Sequence, residues 1–361
     1  MGGAVMLVGY LADTNIGSYD QPIPTVADTS RKIDLLIEEA IEAEKAGFDS
    51  VIVPERHMRT ETYMPDPFTL LNVLARETKS IRLGTYASVL TVHNPMQFAE
   101  RAALLDLLSH GRLFLTLARG YHSDYWRMMG VPEEGMTRRF VEGVEVVRRA
   151  LAGERFSFHG ETMSFDDVFL TPLPFQRGEG PPIWGGGHFP AAIERAGTYA
   201  NAWSGHPFPY DPAFWKDVTS AYLRSAEEHG RPSMVAMMRD GFVADSRQKA
   251  YDIFGDHVVR ENIFYMRAGG HDPGGRTESE VTVENLREHL VLGNPDDCVE
   301  ALQRFEQEYG CEYVVLRMRM PEGPSLEQSI EAIRLFGSEV LPRVQTGRDR
   351  FVHPALPPLR S

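Results

Sequence analysis

Ile81-Arg82-Leu83-Gly84-Thr85-Tyr86-Ala87-Ser88-Val89-Leu90 and Arg112-Leu113-Phe114-Leu115-Thr116-Leu117-Ala118 are two runs rich in apolar and β-branched residues. Such composition is expected of strands covered on both faces. Between them, His93-Asn94-Pro95 makes a turn in which Asn94 can cap a helix and Pro95 suits its first position. Phe98, Ala102, Leu105 and Leu108 then recur at helical spacing until Gly111. Strand, helix and strand form a βαβ unit of a parallel sheet. Arg119-Gly120-Tyr121-His122 follows at the carboxyl end of the second strand, the end where parallel α/β folds bind ligands.

The same alternation extends in both directions. Further strands are predicted over residues 5–11, 48–53, 181–184, 200–204, 234–244 and 313–318. Helices are predicted from Asp28-Thr29-Ser30 to Gly47 and over 67–78, 137–151, 188–196, 212–228, 248–267, from Asn294 and over 325–340. Residues 156–170 read as an antiparallel excursion turning at Gly160, residues 121–135 as a long connection, and residues 268–279 as an exposed segment without apolar period. Eight strands alternating with helices predict a (β/α)8 TIM barrel over residues 1–344 with insertions at its C-terminal face. Residues 345–361, rich in Arg and Pro, read as an extended tail. An open doubly wound sheet is the alternative. Against it, no glycine-rich dinucleotide turn follows the first strand, and Gly185-Gly186-Gly187 runs on to Pro190 where a third glycine would be needed.

Composition narrows the functional class. The formal charge is −14 and no basic run offsets it, which argues against a nucleic-acid or anionic-membrane surface. Cys298 and Cys311 have neither metal-ligand nor redox spacing, as expected of reduced, buried thiols in a cytoplasmic setting. The apolar N-terminus lacks a basic leader and a cleavage pattern and reads as a first strand; no apolar run is long enough to span a bilayer.

Polar residues fall just after the predicted strands, hence on one rim of a barrel: His57, His93, Arg119, His122, His188 and His206. No His-Glu-x-x-His or comparable pairing appears, so no metal site is expected. Gly185-Gly186-Gly187 before a helix would leave backbone N–H groups facing a cleft, and Arg119 lies across the rim from them; together they suit a phosphate. Tyr86, Tyr121, Trp184 and Trp203 at strand ends could wall a flat ligand or simply pack the core.

Taken together, these motifs resemble the bacterial luciferase-like flavin monooxygenases, most closely the luciferase-subunit branch. The resemblance rests on Glu55-Arg56-His57, residues 84–90, Asn94-Pro95, Leu105-Asp106 with Ser109, Gly111-Arg112, Arg119-Gly120-Tyr121 with Gly130, residues 293–298 and residues 335–342. It implies a barrel that holds FMN at the carboxyl ends of its strands, with a cis peptide at Tyr86–Ala87 supporting the ring. Phosphate would lie against Arg119 and Gly185, Gly186, Gly187 and His188, mainly on backbone N–H groups. Ala118 would leave room for a flavin peroxide. His57, Arg56 and Glu55 would be the catalytic set: His57 would transfer the proton, Arg56 would be its electrostatic partner and hold an anionic group, and Glu55 would oppose the effect of Arg56 on the imidazole. Tyr121, His122, Trp203 and His206 would face the substrate, under a lid at 268–279. The implied activity uses reduced FMN from a separate flavin reductase, with O2, to insert one oxygen atom into a small organic substrate. A homodimer is implied through the helices at 67–78 and 95–108, whose Ala75, Ala99, Ala103 and Leu104 exceed the needs of one core face. A deazaflavin-dependent dehydrogenase on the same barrel and a non-catalytic flavin-sequestering protein are the alternatives.

Overall fold

Eight parallel strands close on themselves in the computed structural model, which describes residues 6–16, 23–59, 62–205, 211–267, 277–345 and 353–358. They are β1 (Leu7–Leu11), β2 (Ser50–Val53), β3 (Arg82–Thr85), β4 (Leu113–Ala118), β5 (Ile183–Gly186), β6 (Ala202–Gly205), β7 (Val235–Val243) and β8 (Tyr313–Arg317). Each pairs with the next, and β8 returns to β1 with Gly9 opposite Val315. The main surrounding helices are α1 (Val26–Ala46), α2 (Pro67–Glu77), α3 (Pro95–Leu108), α4 (Met136–Leu151), α5 (Pro190–Ala196), α6 (Pro212–Glu228), α7 (Arg247–Arg267), α8 (Pro295–Tyr309) and α9 (Leu326–Glu339). This is the expected (β/α)8 barrel.

Alternation along the strands sorts their side chains into two layers. Leu7, Leu11, Ile52, Phe114, Trp184 and Val315 fill the lumen, whereas Val8, Tyr10, Val51, Leu115 and Val314 pack outward against the helices. The amino end of the lumen is closed by the chain's own C-terminal region. Ala355 and Leu356 are buried in the luminal cluster; the indole Nε1 of Trp184 donates to the Ala355 carbonyl at 2.6 Å, and Arg82 Nε donates to that of Pro357 at 2.6 Å. The described part of the predicted tail is therefore a plug with a turn at its centre, and Trp184 belongs to the core.

Several local expectations shift. Helix α1 begins before Asp28 because Thr25 is its cap, its Oγ1 accepting from the Asp28 N–H at 3.1 Å. Asn94 caps α3 as expected, accepting from Met96 and Gln97 at 2.9 and 3.3 Å, but Leu108 at its far end is exposed. The run 81–90 is interrupted by a cis peptide at Tyr86–Ala87, after which Ser88–Val89 pairs with β4. A short helix, Ser123–Met128, lies inside the connection after β4, at the C-terminal face. The antiparallel excursion is present as Arg155–His159 and Ser164–Phe169; it leaves from the opposite end of the barrel and runs beside α4, where Glu142 accepts from the Glu161 and Thr162 N–H groups. The three-residue strand Val291–Gly293, paired with β7, carries too short an apolar run to be read from sequence.

Of the residues assigned to a subunit contact, Ala75, Ala99 and Ala103 are buried within the subunit. Small side chains there let α2 and α3 approach the barrel. Leu104 remains exposed, joined by Val73 and Leu108.

Candidate active site

The luminal positions at the carboxyl ends divide the mouth into two halves. On one side lie Tyr86, Ala118 and Gly186. A methyl group on Gly186 would meet the Ala118 and Ala87 methyls at 3.3 and 3.4 Å, so three strand ends converge with almost no side chain between them. That makes a shallow floor suited to a flat ring. Just beyond the cis peptide, Ser88 Oγ is buried without a partner, and so is Thr116 Oγ1 in β4. Unpaired buried hydroxyls are uncommon and are expected where a ligand completes the site. Burial pushes the Tyr86 phenol well above the usual range, and Ser204 Oγ in β6 is likewise buried without a partner.

Arg119 stands at the edge of this floor. Leu117 of β4 pairs with Gly185 of β5, and two further residues of the same register bring Arg119 opposite Gly187. Its Nη1 makes only a long contact to Thr137 Oγ1, 3.4 Å, at the start of α4. Its backbone is better held: Thr91 donates to the Arg119 carbonyl at 2.6 Å and accepts from the Trp126 indole at 3.0 Å. Trp203, expected to face substrate, is fully buried, stacked on Trp215 with ring centroids 5.9 Å apart, and donates to the Gly187 carbonyl at 3.1 Å. It shapes the glycine turn from behind. His188 is exposed beside it. The residues present fit FMN: a thin floor for the ring and a cation next to a backbone turn for the phosphate.

Glu55 is the centre of the other polar group. The residue is 5% exposed, and one carboxylate oxygen, Oε1, bonds to Nε2 of both His57 and His93, each at 2.8 Å. Its Oε2 accepts from the Val89 N–H at 3.2 Å, which ties the pair of imidazoles to the strand that follows Ala87. Burial alone would raise the Glu55 carboxyl, but the hydrogen bonds from His57 and His93 outweigh it and hold it at about 2. An ionised carboxylate only accepts, so both imidazoles present N–H at Nε2. In the neutral ring the free lone pair is then on Nδ1. Because the three side chains are spent on one another, they do not converge on a metal, and no metal-binding cluster occurs among the described residues.

Arg56, expected to partner His57, does not. Its Nη2 donates to the Tyr265 hydroxyl of α7 at 3.1 Å, and its Nη1 is buried without a partner. The group that bonds His57 is Glu55, whose second partner is His93, a residue of the same rim. Tyr121 and His122 are brought to His57 through Tyr125, a residue of the short helix not singled out before. The Tyr125 ring meets His57 edge-on at 5.7 Å, stacks on His122 at 5.6 Å and meets Tyr121 at 6.1 Å. His206 and residues 268–276 of the expected lid lie outside the described residues.

Past Arg56 the mouth is ionic. Arg317 of β8 pairs bidentately with Asp240 of β7, Nε–Oδ1 2.7 Å and Nη2–Oδ2 3.1 Å, and reaches Glu261 of α7 at 2.8 Å. Bidentate geometry of this kind fixes both partners.

Comparison with known proteins agrees with this architecture. The oxygenase component of the flavin-dependent trigonelline monooxygenase of Acinetobacter baylyi is 26% identical over 330 residues, covering 86% of this chain and 89% of that one. The oxygenating constituent of 3,6-diketocamphane monooxygenase of Pseudomonas putida, solved with FMN, superposes with a TM-score of 0.79 at 18% identity, over 94% of this chain and 99% of that one. A coenzyme F420-dependent tetrahydromethanopterin reductase of Methanopyrus kandleri shares the fold at a TM-score of 0.69 and 20% identity, over 95% of this chain and all (100%) of that one. The sequence model of the luciferase-like monooxygenases matches residues 6–311, most of the chain, which makes this protein a member of that family.

Proposed function

We propose that the protein is the oxygenase of a two-component system: it binds FMN reduced by a separate reductase and uses O2 to oxygenate a small organic substrate. The observation that carries this reading is the tie between Glu55 and Val89, which holds an imidazole pair at the edge of the floor made by Ala87, Ala118 and Gly186. Reduced flavin, when bound, supplies the two electrons that activate oxygen. The chain's own residues do the rest. Arg119 and the Gly185–Gly187 backbone hold the phosphate end. The floor admits the ring, and Tyr121, His122 and Tyr125 shield one side from water. His57 takes or gives a proton at Nδ1, with Glu55 keeping Nε2–H in place and steadying the imidazolium. His93 shares the same carboxylate and supports the same tautomer.

The wider luciferase-subunit kinship and the homodimer belong to this proposal. The dimer is supported by the exposed Val73, Leu104 and Leu108 on adjoining helices α2 and α3. No helix among the described residues is long and apolar enough to cross a membrane.

The F420-dependent relative on the same barrel marks the competing reading, hydride transfer without oxygen. Anaerobic titration with reduced FMN and with reduced deazaflavin, followed by mixing with oxygen, separates the two. Binding of reduced FMN and flavin-dependent oxygen uptake are expected. Exclusive binding of the deazaflavin, with no oxygen consumption, would overturn the proposal.

A further inference from the structure

Among the buried polar atoms at the mouth that lack partners, two belong to side chains of opposite charge. Asp13 follows β1 on the luminal side, in the same alternation as Leu7 and Leu11, and is 2% exposed. Its Oδ1 accepts from the Asn15 N–H at 3.3 Å, and the Tyr63 hydroxyl donates to its carbonyl at 2.8 Å, so the residue is fixed. Its Oδ2 is buried and bonded to nothing. Arg56, held by Tyr265 through Nη2, leaves Nη1 buried and equally unbonded. The two groups feel each other electrostatically, yet no ion pair joins them. A carboxylate oxygen and a guanidinium N–H left unbonded at buried positions are both costly. A ligand that offers an acceptor to Arg56 and a donor to Asp13 would satisfy both at once.

We propose that Asp13 and Arg56 form a two-point anchor that selects a substrate carrying both a carbonyl-type oxygen and an O–H or N–H group. This deepens the oxygenase reading and rests on it for the word substrate. The anchor lies in the Arg317–Asp240 half of the mouth, away from the small-residue floor, so substrate and ring would occupy opposite halves. Burial raises the Asp13 carboxyl above its ordinary value, and Arg319, Arg56 and Arg317 pull against it without reversing it. Apolar aldehydes or simple ketones, which lack a donor, would leave Asp13 unpaired and be discriminated against.

Calorimetric titration of the FMN-loaded protein with 2-hydroxybenzamide and with acetophenone tests this. The first probe has donor and acceptor, the second an acceptor only. The wild type is expected to bind 2-hydroxybenzamide at least about 10-fold more tightly, the discrimination expected of one charge-assisted hydrogen bond. Asp13→Ala should abolish that preference while leaving acetophenone affinity unchanged, and Arg56→Met should weaken both probes. Asp13→Asn, which keeps volume and an acceptor for Asn15, guards against misfolding and should reduce the preference several-fold at unchanged melting temperature. Equal affinity of the wild type for both probes, no binding of 2-hydroxybenzamide at millimolar concentration, or wild-type preference in both Asp13 variants overturns the anchor. The same titration on flavin-free protein keeps the two proposals apart. Loss of the preference with FMN bound sinks only the anchor, and a preserved preference in a protein that takes up no FMN sinks only the oxygenase reading.

Discussion

Replacing Glu55 with Gln probes the site at its most connected atom. The carboxylate accepts from two imidazoles through Oε1 and from the Val89 N–H through Oε2. An amide has one acceptor oxygen. If it faces the imidazoles, its NH2 meets the Val89 N–H; if it faces Val89, its NH2 meets two N–H donors. Either orientation sets donor against donor as long as the imidazoles keep Nε2–H, and relief requires that they change tautomer. One unsatisfied buried donor costs about 1–3 kcal/mol, and the surviving bonds lose their charge assistance, so a loss of about 3 kcal/mol is reasonable. Unfolding entropy of about 2.1 cal/mol/K per residue over 361 residues converts this to a fall of about 4 °C in melting temperature. The pH dependence has a definite sign. Glu55 is held at about 2 against an ordinary 4.5, so its contribution is fully present above about pH 4.5 and is lost as pH falls toward 2. The gap in stability between wild type and Glu55→Gln should therefore narrow across that window. Nitrogen NMR of the imidazoles at neutral pH gives the second readout: Nε2-protonated rings in the wild type, mixed tautomers in the variant. An unchanged melting temperature together with unchanged tautomers would refute the argument that Glu55 holds the imidazole pair.

Other expected outcomes follow from the same geometry. Arg119→Ala should weaken reduced FMN binding by about 10-fold or more, since a charge-assisted bond is worth about 1.5–3 kcal/mol, while riboflavin, lacking the phosphate, binds both proteins alike; equal FMN affinity would remove Arg119 from the phosphate site. His57→Ala should retain FMN and consume oxygen but release hydrogen peroxide, with product formation down by about 10²–10⁴. Full coupling of oxygen to product in that variant would move the proton transfer to His93, which shares the Glu55 oxygen. Light scattering should give a dimer at micromolar concentration and a monomer for Leu104→Asp; a monomeric wild type would exclude the α2–α3 contact.

The barrel could be read from the sequence because its signals are local: alternating runs, Asn94-Pro95 and Asn294-Pro295 at helix starts, Gly47 and Gly111 at helix ends. The site was harder, for reasons the strands themselves explain. Glu55 and His93 are 38 residues apart and meet only because β2 and β3 are neighbours and the chain bends at Tyr86–Ala87. No spacing rule connects them. Gly111-Arg112, one of the motifs that carry the family resemblance, is a structural staple. The buried Arg112 guanidinium donates to the Ala75, Thr78 and Ile81 carbonyls and to the Thr78 hydroxyl, joining the end of α2 to the start of β3. Adjacency misled in the opposite direction at Arg56-His57. In extended backbone, successive side chains leave on opposite sides, so two neighbours in sequence are poor candidates to touch. His57 turns to Glu55, two residues back, while Arg56 crosses to Tyr265 on α7, 209 residues on. The same rule applied to β1 places Asp13 with Leu7 and Leu11 on the luminal face. A buried aspartate there is a feature of the mouth that alternation alone flags, as are Asp240 and Arg317 on β7 and β8.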